Sequence, residues 1–175
     1  MELSKHNNDA ELEIKKSTVL NSGWSAKARI DAFERLAKSG LPTVRDEYWK
    51  YTNPKTLTNK IVEKASLLPE HESDIFKSVS PLKIVFVDGK FSPEKSDEFK
   101  LSGLSIERLD TIKKLDLHWA KELYGRYEKL GQLSVSRPLA AYNTAYANEG
   151  LIIHVTDRVE CPINIIYEHE DDIQM

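Results

Sequence analysis

The sequence predicts an α+β fold: an N-terminal helical module with a small β-hairpin, followed by a β-rich end. Three observations carry that prediction. Ile30, Phe33, Leu36 and Ala37 recur at helical spacing. The stretch LKIVFVDGKF runs β-branched and aromatic residues into an Asp-Gly pair. Two further β-rich runs, LIIHV and INIIYEH, stand near the C-terminal end.

Taken in order, residues 1 to 20 hold Leu12, Ile14, Val19 and Leu20 among charges, an irregular helical pattern. From there the signal sharpens. Ser25 suits a cap, and Gly40 followed by Leu41 and Pro42 supplies a stop, so residues 24 to 39 read as an amphipathic helix. Asp88-Gly89 suits a two-residue hairpin turn with positive φ, and Pro93 limits the return strand because it cannot donate to a ladder. Leu104, Ile106 and Leu109 suggest another extended piece. Leu117, Ala120, Leu123, Tyr124, Tyr127 and Leu130 predict a second amphipathic helix over 115–130, ending at Gly131. A short third helix starts at Pro138 and ends before Gly150. Beyond it the period changes to that of strands, over 151–155 and 163–169. A connection of seven residues is too short for an ordinary parallel crossover, so these two runs on their own read as an antiparallel hairpin.

Composition bounds the function. The 175 residues suffice for one domain or for two small units. A net charge of -3 leaves no global positive field to collect nucleic acid or anionic lipid. The longest apolar runs fall far short of the ~18 residues that span a bilayer. The mixed acids and amides of the first residues are unlike a secretory leader or a transit peptide, and the one cysteine, Cys161, forms no internal disulfide. A cytoplasmic location is expected.

The candidate chemistry is sparse. No two of His6, His71, His118, His154 and His169 stand at the spacing of a helix-borne metal pair, and the acidic Glu168 to Asp172 reads as a solvated end. Neither a Walker loop nor a dinucleotide-binding glycine pattern is present. A hydrolase using Cys161 and His154 would need the two within hydrogen-bond reach. The stretch RDEYWKYTNP, Arg45 to Pro54, is different: three aromatics and four charges in ten residues. Trp49 and Tyr51 lie on different faces whether the block is helical or extended, so some ring meets a second surface. The preferred reading is a buried clasp, in which Arg45, Asp46, Glu47 and Lys50 pair locally and a fully buried Trp49 would cost roughly 3 to 5 kcal/mol on truncation. The alternative is an exposed aromatic anchor for another protein, as in a free-standing interaction module.

The stretch SGLPTVRDEYWKYTNP resembles the N-terminal signature of the SufB/SufD family, on its SufD side, whose pattern matches Leu41, Pro42, Arg45, Glu47, Trp49, Lys50, Tyr51 and Thr52. LKIVFVDGKFSP and RPLAAYNTAYANEGLIIHVTDRVECPINIIYEH resemble further segments of that family, in the same order. The resemblance implies a non-catalytic scaffold for iron–sulfur cluster assembly, working with SufB-like and SufC-like subunits, with ATP hydrolysis left to SufC. It implies an N-terminal α/β module over 1–136 and, over 137–175, the start of a right-handed parallel β-helix core. The family's cluster-related cysteines and histidines lie downstream of the matched region. No cofactor is therefore assigned to this chain; the iron–sulfur cluster belongs to the whole complex. In such a stack the two last runs occupy opposing sheets and await the next coil. Their open edges make the chain either the front of a longer protein or prone to associate through these strands.

Overall fold

The computed structural model describes residues 23–58, 77–116, 118–131 and 135–169. The expected N-terminal helical pattern over 1–20 lies outside them. The chain forms two compact units that interleave along it: Met1–Asn59 with Asp110–Asn148, and Lys60–Leu109 with Glu149–Met175.

The first unit is helical. Its longest element is α1 (Ala26–Ser39), which ends where the Gly40 N–H bonds to the Leu36 carbonyl at 2.8 Å. After it come a 3-10 turn (Glu47–Trp49) and the short α2 (Lys55–Thr58). The short α3 (Leu109–Ile112) leads back from the second unit. A second 3-10 turn (Trp119–Glu122), α4 (Arg126–Gly131) and α5 (Pro138–Tyr146) complete it. Helices α1 and α5 pack through Ala32, Phe33 and Ala145, with Ile30 and Tyr146 alongside. The face α1 buries is Arg29, Ala32, Phe33 and Leu36. Ala37, expected on that face, is exposed, and a charged residue lies in the core instead.

The helix expected over 115–130 is broken, which corrects that reading. His118 starts the 3-10 turn by accepting the Ala120 N–H on Nδ1 at 3.1 Å. Gly125 then takes φ of +71°, where a Cβ would stand 2.9 Å from Thr144 Cγ2 on α5. Both the positive φ and the close approach suit glycine alone, and the chain turns there and restarts at Arg126. The apolar positions consequently split: Ala120 is buried, whereas Leu123, Tyr127 and Leu130 are exposed.

The second unit is built from two small sheets. Strands β1 (Leu82–Val87) and β2 (Lys90–Phe91) form the expected hairpin, with positive φ at both Asp88 and Gly89. Strand β5 (Ile163–Glu168) pairs parallel to β1 on the other side, with Leu82 opposite Ile163, giving the order β2-β1-β5. Strand β3 (Leu104–Arg108) pairs antiparallel to β4 (Leu151–Val155), with Ile106 opposite Ile153. Leu82, Ile84 and Phe86 of the first sheet meet Leu104, Ile106 and Leu151 of the second in one core, joined by Cys161 and Ile163. The two C-terminal runs therefore do not pair as a hairpin; they enter different sheets. Where β2 is too short to satisfy β1, loop residues substitute for a strand: Ser96 Oγ accepts the Val85 N–H at 2.8 Å, and Asp97 accepts from and donates to Lys83 at 2.7 and 2.8 Å.

Candidate functional site

The aromatic block is a chain of tight turns held between two buried prolines, Pro42 and Pro54. The Asp46 carboxylate accepts the Thr43 N–H at 2.7 Å and its hydroxyl at 3.3 Å, and Thr43 Oγ1 in turn accepts the Arg45 N–H at 3.3 Å. Such local side-chain to backbone bonds compete with helix and favour turns. Successive i to i+3 bonds follow, Trp49 N–H to Asp46 O at 2.8 Å and Thr52 N–H to Trp49 O at 3.1 Å. At the far end Asn53 Oδ1 accepts the Lys55 N–H at 3.1 Å.

This geometry pushes the rings outward. Tyr51 is 90% exposed and Tyr48 71%, while Arg45, Glu47, Lys50 and Thr52 are exposed as well. The Lys50 ammonium stands 5.3 Å from the Tyr51 ring centre. Trp49 is half-buried and, with Tyr48, lines a cleft of about 220 Å³ against Val135–Ala140. The buried-clasp reading is thus corrected: the prolines are buried, Trp49 is half-buried, and Tyr48 and Tyr51 face outward. The physical reason is local, since Asp46 spends its carboxylate on Thr43 rather than on Arg45 or Lys50.

The other sequence candidates do not assemble. Cys161 packs against the Leu82, Ile84 and Phe86 core. Leu151 shares that core, so alternation along β4 points His154, an exposed residue, to the opposite face. Cys161 thus packs into the core while His154 points away from it. His169 Nδ1 lies 3.8 Å from Asp88 Oδ1 at the end of β5, an exposed pairing beside the hairpin turn. Among the described residues no three His, Cys, Asp or Glu side chains gather as a metal site would require. No helix among them is long and apolar enough to cross a membrane. His6 and His71 lie outside the described residues.

In the second unit the open feature is a pair of strand edges. Among the described residues β5 is terminal in its sheet and β4 has one partner, β3. The carbonyls of Pro162 and Glu168 face β1, so alternation turns the N–H and C=O groups of Ile163, Ile165 and Tyr167 away from it. Side chains beside these edges are only partly covered: Ile165 is 39% exposed, Val155 60% and Tyr167 68%, with one face of Tyr167 stacked on Phe86 at 5.5 Å. Lys95 ties the end of β5 to the loop that follows β2, its Nζ 2.7 Å from Glu168 Oε2.

Pattern reading missed a buried cationic cluster in the helical unit. The Arg29 guanidinium donates to Ser25 Oγ at 3.1 Å, Ala145 O at 3.2 Å and Ala147 O at 2.7 Å, and lies over the Tyr124 ring. It satisfies the carbonyl end of α5, where a cation also suits the helix dipole. Tyr124 donates its hydroxyl to Thr144 O at 2.8 Å, and burial pushes its phenol above the usual value, partly offset by Arg29. Trp24 closes the group: its indole donates to Ile112 O at 3.0 Å, stacks on His118 at 4.8 Å and meets the Tyr124 ring edge-on. The one sequence signal was position: Arg29 follows Ser25 at i, i+4 and stands three and four residues before Ala32 and Phe33, on the apolar face of α1.

The chain belongs to the SufB/SufD family, matching the SufBD protein N-terminal region over residues 4–165. Among curated proteins it is similar to the iron-sulfur cluster assembly protein SufD of Escherichia coli (strain K12), 29% identical over 129 residues. That alignment covers 72% of this chain and 30% of the relative, so the chain spans less than a third of the protein it matches.

Proposed function

We propose that this chain is the N-terminal portion of a SufD-type scaffold, a non-catalytic cytoplasmic component of an iron–sulfur cluster assembly complex. Family membership and the similarity to a cluster-assembly protein support it. The observation that carries it is the fate of the last two strands. β4 and β5 enter different sheets around one core and leave outer edges and half-covered apolar side chains beside them. This is how the first coil of a right-handed parallel β-helix would look before the next coil stacks on it. In this reading the chain binds no cofactor of its own, the cluster is cargo of the whole complex, and ATP is hydrolysed by a SufC-like subunit.

Size-exclusion chromatography with light scattering, alone and after co-expression with SufB-like and SufC-like subunits, tests this. Association with those subunits or with itself is expected. It should be suppressed by Ile165→Pro, which removes an outward N–H while leaving the pairing to β1. A monomer at every concentration that captures neither subunit would overturn the scaffold reading.

One observation favours a second reading, an interaction module that uses the block at 45–54: the exposure of Tyr48 and Tyr51. Tyr48→Ser with Tyr51→Ser would then abolish capture of those subunits while Ile165→Pro leaves it intact.

A further inference from the structure

The helical unit has a second concave surface that neither reading uses. Between α1 and the segment from Lys121 to Lys129 runs a groove of about 700 Å³. Trp24, Ala28, Tyr124 and Gly125 contribute to it, and its rims carry Lys27 and Arg35 from one side with Lys121, Arg126 and Lys129 from the other. Two carboxylates, Asp31 and Glu122, oppose these five cations, in a chain whose net charge is -3.

Arg35 is committed elsewhere. Its guanidinium forks onto both oxygens of Glu128, fastening α1 to α4 and fixing the two walls relative to each other. Lys27, Lys121, Arg126 and Lys129 are all exposed, and none has an ion pair among the described residues. Arg126 and Lys129 stand at i, i+3, where like charges repel. Four cations converging on one concavity add nothing to folding; their common field attracts an anion.

The arrangement selects among anions. The four uncommitted cations stand on three separate elements, Lys27 on α1, Lys121 on the 3-10 turn and Arg126 with Lys129 on α4. A compact anion would reach only part of that rim, whereas an extended chain can pass along all of it. Single-stranded nucleic acid needs exposed aromatic platforms for its bases. Here Trp24 is 2% exposed and the Tyr124 hydroxyl is held by α5, so the rings in the groove cannot stack on a base. We propose that this groove docks an acidic, extended polypeptide segment of a partner protein.

The probe is a fluorescein-labelled oligoglutamate peptide, followed by anisotropy at low and moderate salt. Binding is expected to weaken with salt and to fall about tenfold or more in Lys121→Glu/Arg126→Glu. The matched control, Lys38→Glu/Lys55→Glu, makes the same charge change at exposed positions outside the groove and should move the affinity less than about twofold. Thermal melts of both variants establish that they fold. Loss of binding in both variants equally, absence of binding at low salt, or displacement of the peptide by an oligothymidylate at equal charge would each overturn the proposal. None of these outcomes depends on whether β4 and β5 continue a stack, so the groove and the scaffold reading stand or fall separately.

Discussion

The helical unit contains two clusters of nearly the same composition and opposite fate. Trp24, Arg29 and Tyr124 are packed together and hydrogen-bonded, with Trp24 at 2% and Arg29 at 3% exposure. Trp49, Lys50 and Tyr51 hold the same three residue kinds in succession, yet Tyr51 is 90% exposed. Residue type does not separate them; the backbone that carries them does. The first cluster sits on α1 and the turn before α4, elements whose partners approach from the far end of the sequence. The second sits on consecutive short turns that satisfy their own hydrogen bonds locally and so have no need of a neighbour.

The comparison is sharpest at Trp24. Removing a large buried ring leaves a cavity together with lost contact area, so Trp24→Ala should cost about 3 to 5 kcal/mol in a denaturant melt. A loss below 1 kcal/mol would mean the cluster is not a core. Next comes Arg29→Ala, which strands the carbonyls of Ala145 and Ala147 at the end of α5. A cost on the order of 3 kcal/mol is expected, because hydrogen bonds to charged groups are the strong ones and buried acceptors are left unmet. Arg29→Lys should recover only part of it, since an ammonium cannot reproduce the planar fork.

Tyr124→Phe removes one hydrogen bond, to Thr144 O, and should cost about 1 kcal/mol at neutral pH. It also carries a pH signature. Burial raises the folded-state pKa of Tyr124 above the ordinary 10.0, with Arg29 pulling the other way. Above about pH 10 the unfolded chain therefore loses a proton that the folded chain keeps. The stabilising contribution is complete below that pH and is lost as pH rises through the folded-state pKa. Melts at rising alkaline pH should show a steeper decline for the parent protein than for Tyr124→Phe; parallel declines would show that the phenol is not sequestered.

The same contrast marks what was legible in the sequence. Signals that act within a few residues read correctly: Gly40 that ends α1, the Asp88-Gly89 turn, and Pro93 that limits β2 to two residues. What failed depended on distant partners. Leu117 to Leu130 fit a helical period, yet the chain makes a 3-10 turn, bends at Gly125 against Thr144 of α5 and only then restarts as α4. Arg29 carried no signal of its burial, because its carbonyl partners are 116 and 118 residues away. β4 and β5 were recognisable as strands, but their partners, β3 and β1, lie upstream, so residue patterns alone suggested a hairpin. The family resemblance supplied the opposing-sheet arrangement that local pattern could not. For the block at 45–54 the error ran the other way: dense aromatics suggested burial, while Thr43, Asp46 and Asn53 had already bound the local backbone into turns.

The smallest expected effect tests that last point. A side chain that contacts little loses little on truncation, so Tyr51→Ala should change stability by less than about 0.5 kcal/mol, and Tyr48→Ala by a similar amount. Thr43→Val, by contrast, deletes the hydroxyl that accepts from Arg45 and donates to Asp46, and should loosen the block by about 0.5 to 1 kcal/mol without touching either ring. If the tyrosine variants proved as costly as Trp24→Ala, the rings would be buried after all and the two clusters would be alike. If only Thr43→Val registers, the turns are there to hold the aromatics outward, and a surface that the fold does not need is left for binding.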